Sequence, residues 1–422
     1  MTYEYRHGGV AKNILEEKVQ KLIPYCGRLA DVIGDKDYDA PEAAFVIPYD
    51  TTAHAANARS VVETIGAVKQ VVLIGIGGSS MGTAAVYEAL RTMHTPSLHI
   101  LDVLDAEKVT AVLEILKKGS LEDFAIIVIS KSGSTTETLA NADVVISELK
   151  KHFGEGAYMR VVCIGNKGTS LAGYAEERGM QYASIPDQVG GRFSVFSAVG
   201  LVPLALLGFD IEAFSYAAQG VFEAHTQKED RSALYAAALL ETHITRDAHV
   251  YALFLEHDRL LAFGAWYQQL LAESLGKETK EGKRVGIAPV CMSPRELHST
   301  AQLYLSGYPD VLTHFIGLAT SPAPSFVISE EECGSLVTFA GERSYGRLPQ
   351  AIMGGVHTAY EREGLPHVRT AVDTLSAETL GTLMAEKMLE VAFVAYLLGI
   401  NAFDQPHVEL YKKETRSILD AA

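Results

Sequence analysis

A run of hydroxyl side chains is the clearest candidate for ligand chemistry in the sequence. Residues 130–138 contain six serines and threonines and directly follow the apolar run 124–129. A helix cap needs one hydroxyl, and a capping box from Ser134 to Glu137 would explain only part of the run. The excess suits a phosphate group, whose oxygens accept many short hydrogen bonds from hydroxyls and backbone amides. We therefore favour a phosphate site over pure helix capping at this segment.

A glycine-rich segment, residues 75–82, follows the apolar run 71–74 and opens a helical pattern. Such a strand-to-helix turn points backbone N–H groups and the positive end of the helix at an anion. A dinucleotide-binding fingerprint would need a glycine where Ser80 stands, so an NAD-dependent dehydrogenase is disfavoured. A small-anion loop is the favoured interpretation, and a plain tight turn is the alternative.

Two charged residues stand in segments that could carry chemistry. Arg192 lies in residues 190–194, where two glycines allow close backbone approach and a guanidinium would keep its charge inside a cleft. Glu273 lies four residues after Gln269, so both share one face of an apolar helix. Taken alone, Arg192 could equally form an inter-domain salt bridge. Glu273 could be a general base or a structurally paired carboxylate, and this pattern by itself favours the paired carboxylate.

His298 and Lys412 complete the set of candidates. Each stands in a short segment, at residues 296–302 and 408–413. A single histidine or lysine of this kind is ordinarily a structural or surface residue, so neither indicates chemistry by itself.

The composition restricts the possible partners. Lysine and arginine number 36 against 52 aspartates and glutamates, which gives a formal net charge of −16. Such a field repels polyanions, so we expect neither nucleic acid nor an anionic membrane as a partner. A small anionic ligand would need a local positive site. The four cysteines form no CxxC pair and have no histidine at metal-ligand spacing, which indicates reduced thiols and no metal site.

The length and the spacing of elements predict two α/β domains. With 422 residues, 48% of them hydrophobic and 21% charged, the chain should fold into a packed globule of two or three domains. Strands separated by helices of ten or more residues imply crossover connections and doubly wound parallel sheets. The β-rich runs form two series, at residues 71–74, 98–101, 124–129, 160–164 and 182–185, and at residues 250–254, 286–291, 311–316 and 367–372.

The remaining patterns are helical, and they set the expected domain boundaries. They lie at residues 11–33, 195–245, 259–275, 295–305, 348–362, 377–398 and 407–419. We expect a helical N-terminal arm without strands that packs on the second domain. The expected boundaries are 1–45 for this arm, 46–190 and 191–404 for the two α/β domains, and 405–422 for a C-terminal helix.

Targeting signals are not evident in the sequence. The longest apolar stretch, residues 195–209, is shorter than the roughly 20 residues of a membrane-spanning helix and contains Pro203, so a buried helix is expected there. Residues 1–12 are polar and lack the apolar core of a signal peptide, which favours a cytoplasmic protein.

Taken together and in this order, these segments resemble the glucose-6-phosphate isomerase family, also called phosphoglucose isomerase, in its short bacterial form. The most specific matches are in residues 76–79, 190–194, 273–277, 298–302 and 408–412. The resemblance implies two nested α/β domains of the sugar-isomerase (SIS) type. It also implies a homodimer whose active site takes a histidine from the partner subunit, and it implies no cofactor and no metal.

The resemblance assigns roles to individual residues. By similarity, Glu273 would move a proton between C2 and C1 of the sugar, and Arg192 would stabilise the negative charge of the enediolate. His298, donated by the partner subunit, would open the sugar ring, with Lys412 assisting at the ring oxygen. The phosphate loop would comprise Ser130, Ser132, Thr135 and Thr138. The other substrate contacts would be Gly78, Ser79 and Gln269.

The implied reaction is the reversible isomerisation of glucose 6-phosphate and fructose 6-phosphate in glycolysis and gluconeogenesis. Proton transfer between aldose and ketose needs a base, a cation near the developing oxyanion and a grip on a remote group. The phosphate supplies that grip. Two alternatives stay open, namely an isomerase of another hexose phosphate and a non-catalytic sugar-phosphate sensor. A sensor has no need of a glutamate, an arginine, a histidine and a lysine together.

Overall fold

The computed structural model describes residues 1–307, 310–319, 326–329, 331–336, 344–405, 414–415 and 417–418, with side chains throughout except at 51–53. The strands are β1 (Thr2–Glu4), β2 (Gln70–Ile74), β3 (Ser97–Leu101), β4 (Phe124–Ile129), β5 (Val161–Gly165), β6 (Gln181–Ser184), β7 (Val250–Leu255), β8 (Lys277–Glu278), β9 (Arg284–Val285), β10 (Ala288–Met292), β11 (Val311–Leu318) and β12 (His367–Val372). The helices are α1 (Lys12–Gly34), α2 (Thr51–Ile65), α3 (Met81–Leu90), α4 (Ala106–Lys118), α5 (Thr136–Phe153), α6 (Ser170–Glu177), α7 (Ala198–Leu206), α8 (Ile211–Thr226), α9 (Ser232–Thr245), α10 (Leu261–Leu275), α11 (Arg347–Glu363) and α12 (Ala377–Leu398).

The first sheet has five parallel strands in the order β3-β2-β4-β5-β6. β4 is apolar and buried at every position, and its alternate residues enter two separate hydrophobic cores. A parallel strand covered on both faces requires this composition. The strand order reverses between β2 and β4, and doubly wound sheets bind ligands beyond the carboxyl ends of the strands at such a point. The glycine-rich and hydroxyl-rich segments both emerge there, because they follow β2 and β4.

The second sheet has the order β1-β12-β11-β7-β10, in which the last four strands are parallel and β1 is antiparallel. The expectation of an N-terminal arm without strands is therefore wrong, because Thr2–Glu4 pairs with β12. Three residues are too few to show an alternating pattern. The segment is extended because the edge of β12 offers unpaired backbone groups, and a short added strand satisfies them.

A layer of helices fills the space around the second sheet. α12 packs against α8, α9, α10 and α1, and every residue from 383 to 395 is buried. A helix that is apolar on all sides is expected to lie in a core. Its buried charges are paired, since Lys387 Nζ lies 2.5 Å from Glu390 Oε2 and Tyr267 donates a hydrogen bond to Glu390 Oε1 at 2.7 Å. α10 also packs against α3, which joins the second sheet to the first.

The observed elements match most of the predicted ones. All nine predicted strand runs form strands, with ends shifted by at most two residues. The apolar stretch at 195–209 contains the buried helix α7. The doubly wound α/β class is confirmed, while the four domain boundaries stay predictions. No helix in the described ranges is both long enough and apolar enough to cross a bilayer.

Two helical predictions differ from the structure or fall outside it. A single helix over residues 295–305 is wrong, because this stretch forms two short turns, Pro294–His298 and Leu303–Gly307. A capping box between Ser293 and Glu296 starts the first turn, and the φ angle of −135° at Ser299 ends it. Most of the predicted last helix, residues 407–419, lies outside the described residues, and the described ones, 414–415 and 417–418, are helical.

Candidate functional site

Arg192 is the most completely bound side chain of the candidate site. It sits in the short turn Gly191–Phe193 and is 1% exposed. Its five N–H groups donate to Ser274 Oγ at 2.8 Å, Glu273 Oε2 at 3.3 Å, Gln405 Oε1 at 2.7 Å, the Ala402 carbonyl at 2.5 Å and the Asp404 carbonyl at 2.8 Å. Burial lowers the pKa of Arg192 below its usual range, and the Glu273 and Asp404 carboxylates oppose that shift. A fixed cation of this kind can stabilise a negative charge without reorienting.

Glu273 lies in the last turn of α10, beside Arg192. One carboxylate oxygen accepts a hydrogen bond from Gln269 Nε2 at 3.0 Å, and the other accepts the 3.3 Å bond from Arg192. The side chain is 32% exposed, so it can meet a ligand from the solvent. The shared helical face of Gln269 and Glu273 is confirmed. Arg192 and Glu273 form a salt bridge, and the same pair presents a base next to a cation.

The glycine-rich segment brings the first sheet against this pair. Gly77 has a φ of +60°, and a Cβ there would lie 2.9 Å from Gln269 Nε2. A Cβ on Gly78 would lie 2.2 Å from the carbonyl carbon of Gly191. Ser79 ends the turn Gly77–Ser79 and is half-buried. The glycines thus allow two loops to touch, and one of these loops carries Arg192.

The hydroxyl-rich segment does not use its hydroxyls to cap α5. Thr135 is the N-cap residue, yet among the described residues its side chain makes no capping bond, so the capping box from Ser134 is wrong. Ser130 is buried and donates to Thr135 Oγ1 at 3.0 Å, and the exposed Ser132 lies 2.9 Å from Ser134, oxygen to oxygen.

Thr138 adds an unused hydroxyl to this loop. Its Oγ1 is buried and has no hydrogen-bond partner in the part of the chain that the structure describes. An orphaned hydroxyl in the first turn of a helix, next to uncapped N–H groups, is an arrangement that suits an anionic oxygen ligand.

Lys131 stands in the hydroxyl loop close enough to Arg192 for the two charges to interact, and it is not among the residues predicted from the sequence. Burial lowers the pKa of Lys131, the nearby Arg192 charge acts in the same direction, and Asp187 opposes them. A half-buried lysine within a hydroxyl-rich loop supplies the local positive charge that a small anion needs in a protein of net charge −16. The position of Lys131 between Ser130 and Ser132 was the feature of the sequence that could have indicated its role.

Four more residues complete the surroundings of Arg192. Ser274 and Lys277 lie in residues 273–277, one of the segments that the sequence had indicated as functional. No sequence pattern near Asp404 and Gln405 predicted that they would lie at this site. Lys277 Nζ donates to Asp404 Oδ1 at 2.7 Å, and burial lowers the pKa of Lys277 while the Asp404 carboxylate opposes that shift.

Of the two remaining sequence candidates, the one within the described residues, His298, is not part of this constellation. His298 ends the turn Pro294–His298, is exposed, and makes no hydrogen bond to the other candidates among the described residues. Lys412 lies outside the described residues. The structure therefore brings Arg192, Glu273 and Gln269 together with the glycine and hydroxyl loops.

Two clusters elsewhere in the described chain have metal-ligand spacing. They are His7 with Glu361 and His367, and His225 with Asp230 and Glu386. In the first cluster the two imidazole rings stack with 2° between their planes, so their lone pairs do not converge on one point. In the second cluster His225 Nε2 accepts the Ala233 N–H at 3.2 Å. Neither cluster includes a residue of the candidate site.

Comparison with known proteins gives one consistent result. The phosphoglucose isomerase family model matches residues 52–293. A glucose-6-phosphate isomerase of Thermus thermophilus is 33% identical over 417 residues, which cover 98% of this chain and 95% of the relative. A crystal structure of a hypothetical protein from Thermus thermophilus has a TM-score of 0.87 at 29% identity, with 99% of each chain covered.

A second solved structure shares the fold alone. It is a glucose-6-phosphate isomerase from Chlamydia trachomatis, with a TM-score of 0.81 at 22% identity, and the match covers 99% of this chain and 88% of that one. The matched family model spans more than half of the chain, and the Thermus relative is similar over nearly all of it. The chain therefore belongs to the phosphoglucose isomerase family.

Proposed function

We propose that this protein interconverts glucose 6-phosphate and fructose 6-phosphate, as a cytoplasmic enzyme of glycolysis and gluconeogenesis. The observation that carries the proposal is the pairing of a part-exposed carboxylate, Glu273, with a fully bound guanidinium, Arg192, together with a hydroxyl-rich loop in which the buried Thr138 hydroxyl has no partner among the described residues. The family membership and the names of the relatives support the same substrates.

The phosphate of the substrate is bound by the loop after β4. Ser130, Ser132, Thr135 and Thr138 offer hydroxyls, and the amino end of α5 offers uncapped N–H groups. Lys131 adds a positive charge from the same loop. Holding the phosphate turns the proton transfer into a reaction between groups that are already in place.

The proton transfer takes place at Glu273. Its carboxylate accepts the proton from C2 of the open-chain aldose, and the C–H electron pair forms the C1–C2 double bond while the carbonyl oxygen at C1 becomes negative. The proton of the C2 hydroxyl moves to the C1 oxygen, Glu273 returns its own proton to C1, and the carbonyl forms at C2. Arg192 stabilises the charge of this enediolate. Its 3.3 Å bond to Glu273 is the longest of its five and is the one that the substrate oxygen replaces.

Ring opening is assigned to His298 of a partner subunit and to Lys412, within a homodimer. The exposure of His298 and its separation from the Arg192 site are consistent with a residue that acts in a neighbouring subunit. Gly78, Ser79 and Gln269 contact the rest of the sugar in this proposal, and they lie beside Glu273 and Arg192.

The test is turnover of fructose 6-phosphate, coupled to NADPH formation by glucose-6-phosphate dehydrogenase, in the wild type and in Glu273→Gln. Loss of a general base lowers kcat by about 10²–10⁴-fold. Glu278→Gln, an exposed glutamate five residues further along, is the matched control and should keep wild-type kcat.

Each failure points to a different conclusion. Near wild-type kcat in Glu273→Gln would overturn the assignment of the base. Wild-type turnover of mannose 6-phosphate or an amino-sugar phosphate, without formation of glucose 6-phosphate from fructose 6-phosphate, would indicate an isomerase of another hexose phosphate. A raised melting temperature with fructose 6-phosphate and no turnover of any of them would indicate a sensor.

A further inference from the structure

Lys277, two residues past the end of α10, is a buried lysine bound to a distant stretch of chain. Its side chain is 8% exposed. Its ammonium group donates to the Asn401 carbonyl, to the Asp404 carbonyl at 2.8 Å and to Asp404 Oδ1 at 2.7 Å. The three protons of the ammonium group thereby each have an acceptor.

The same stretch, residues 401–405, binds Arg192. The Ala402 and Asp404 carbonyls and the Gln405 side chain accept three of the five guanidinium bonds. The Asp404 carbonyl oxygen lies 2.8 Å from Arg192 Nη2 and 2.8 Å from Lys277 Nζ. One main-chain oxygen therefore joins the two buried cations.

The turn at 401–405 is held by its own side chains as well. Asn401 donates to Asp404 Oδ2 at 3.0 Å, and the Phe403 N–H donates to Asn401 Oδ1 at 2.9 Å. The Phe403 ring packs against Phe193, the neighbour of Arg192, with centroids 5.0 Å apart. Both oxygens of the Asp404 carboxylate are thus occupied, one by Asn401 and the other by Lys277.

The position of Asp404 matters because a free carboxylate next to Arg192 would compete with the ligand. Arg192 contacts Asp404 through its main-chain carbonyl, which carries no net charge. An aspartate released from Lys277 could turn towards the guanidinium and form a charged pair with it. Such a pair would weaken the attraction of Arg192 for a negative charge on the substrate.

We propose that Lys277 is a positioning residue that acts on Arg192 through residues 401–405, by fixing the Asp404 carbonyl and by keeping the Asp404 carboxylate away from the guanidinium. The inference rests on the proposed function for its kinetic consequence. The alternative is that Lys277 only stabilises the fold, and kinetic and stability measurements separate these roles.

The main experiment compares Lys277→Met with the wild type in the coupled isomerase assay. We expect kcat to fall by about 10–100-fold, because small displacements of a charge-stabilising group have effects of this size. KM should change by less than about threefold, since the hydroxyl loop is untouched. Lys280→Met, at an exposed lysine three residues away, is the control and should leave both constants unchanged. An unchanged kcat in Lys277→Met would overturn the proposal.

The double variant Lys277→Met/Asp404→Asn tests how the effect arises. Removing the carboxylate that Lys277 had occupied should restore part of kcat, by about threefold or more over Lys277→Met. A purely structural role predicts that the double variant is no more active than the single one, and that result would overturn the proposal. If Lys277→Met does not fold, Lys277→Gln, whose amide can still donate to carbonyls, replaces it in both comparisons.

A measurement without turnover separates this inference from the proposed function. The ¹H–¹⁵N signal of the Arg192 Nε–H group, assigned by its loss in Arg192→Lys, should shift in Lys277→Met and stay in place in Lys280→Met. An unshifted signal would overturn the positioning role whatever the substrate is. If the Arg192 signal shifts in Lys277→Met but the wild type shows no isomerase turnover, the proposed function is contradicted and the positioning role of Lys277 is not.

Discussion

The parallel strands of the two sheets share a topology, but the carboxyl edges of the sheets carry different chemistry. In each sheet, the parallel strand that comes first in the chain, β2 or β7, lies between two other strands. The second parallel strand in the chain, β3 or β10, pairs on one side of it, and the later parallel strands lie on the other side. The strand order therefore reverses next to β2 and next to β7, which creates a crevice at each carboxyl edge. In the first sheet that crevice is bordered by the glycine and hydroxyl loops.

In the corresponding crevice of the second sheet, the described residues place a carboxylate of the protein. Glu256 directly follows β7, is 7% exposed at its side chain, and lies 2.9 Å from His357 Nε2 and 3.4 Å from Arg369 Nε. A Cβ on Gly317 in β11 would lie 2.2 Å from Glu256 Oε2. The internal carboxylate occupies the place where a ligand would bind in the other sheet.

The difference shows that topology sets where a site can form and side chains decide whether it stays open. The second sheet contributes to the candidate site from its opposite edge. A crossover helix runs antiparallel to its strands, so the carboxyl end of α10 lies towards the amino edge of the sheet. Glu273 reaches the first sheet from there.

Among the tests of this comparison between the two sheets, the largest expected effect follows from replacing Arg192, which connects the two regions. Arg192→Lys keeps the charge but has three donors in place of five and no planar fork, so kcat should fall by about 10²–10³-fold. Steady-state kinetics would measure it, with Arg178→Lys at the exposed end of α6 as the control. A wild-type kcat in Arg192→Lys would contradict the proposal that the reaction takes place at the crevice of the first sheet, beside Arg192.

The next largest effect concerns the contact between loops. In Gly78→Ala the new Cβ would collide with Gly191, so the backbone must shift. We therefore expect the unfolding free energy to fall by about 1–3 kcal/mol and most of the activity to be lost. Urea titration and the isomerase assay would measure both. Gly173→Ala in α6, where the described residues leave open space around the glycine, should keep both properties. A fully active Gly78→Ala would show that the loops can part without harm.

A matched pair of substitutions tests the two crevices directly. Ser130→Ala should raise KM about tenfold, because it removes a hydrogen bond to a charged phosphate. Glu256→Gln should leave KM unchanged and lower the unfolding free energy by about 1 kcal/mol, since its partners are partly exposed. A raised KM in Glu256→Gln would mean that the second crevice also takes part in binding.

The last expected effect is a pH dependence of the unfolding free energy, which concerns a histidine in the core of the second sheet. His314 in β11 is fully buried between Tyr251 and Thr370, and burial, with the nearby Lys387 charge, holds its pKa well below 6.5. It is neutral in the fold but gains a proton in the unfolded chain below pH 6.5. Stability therefore falls as the pH is lowered through this range, with a contribution of up to about 1.4 kcal/mol per pH unit.

Urea titrations between pH 7.5 and 5 would measure this dependence. His314→Gln should flatten it. His99→Gln in β3 of the first sheet should change it less, because His99 is only partly buried. Equal slopes for the wild type and His314→Gln would contradict the assignment.

The sequence predicted those features that depend on local composition. β2 and β4 are apolar runs, and the loops that follow them lie at one edge because parallel strands end together. The shared face of Gln269 and Glu273 follows from helical spacing alone. These features give the fold class and the two loops of the site.

Features that depend on distant contacts could not be predicted. Gly78 touches Gly191, and Arg192 binds residues 402–405, although no local pattern connects these segments. The same limit applies to β1, which is a strand only because β12 lies beside it. Glu256 closes the second crevice through partners on α11 and β12, more than 100 residues away.

The saturated hydrogen bonding of Arg192 has a consequence for substrate choice. A guanidinium held by protein oxygens on every side cannot rotate to follow different hydroxyl arrangements. In the proposed reaction, Arg192 would select the place at which a negative charge develops and would be indifferent to the configuration of the sugar carbons beyond it. Discrimination among hexose phosphates must then come from the groups that face those carbons. Changing sugar preference by protein engineering should therefore begin at those groups and leave the arginine and its oxygen cage intact.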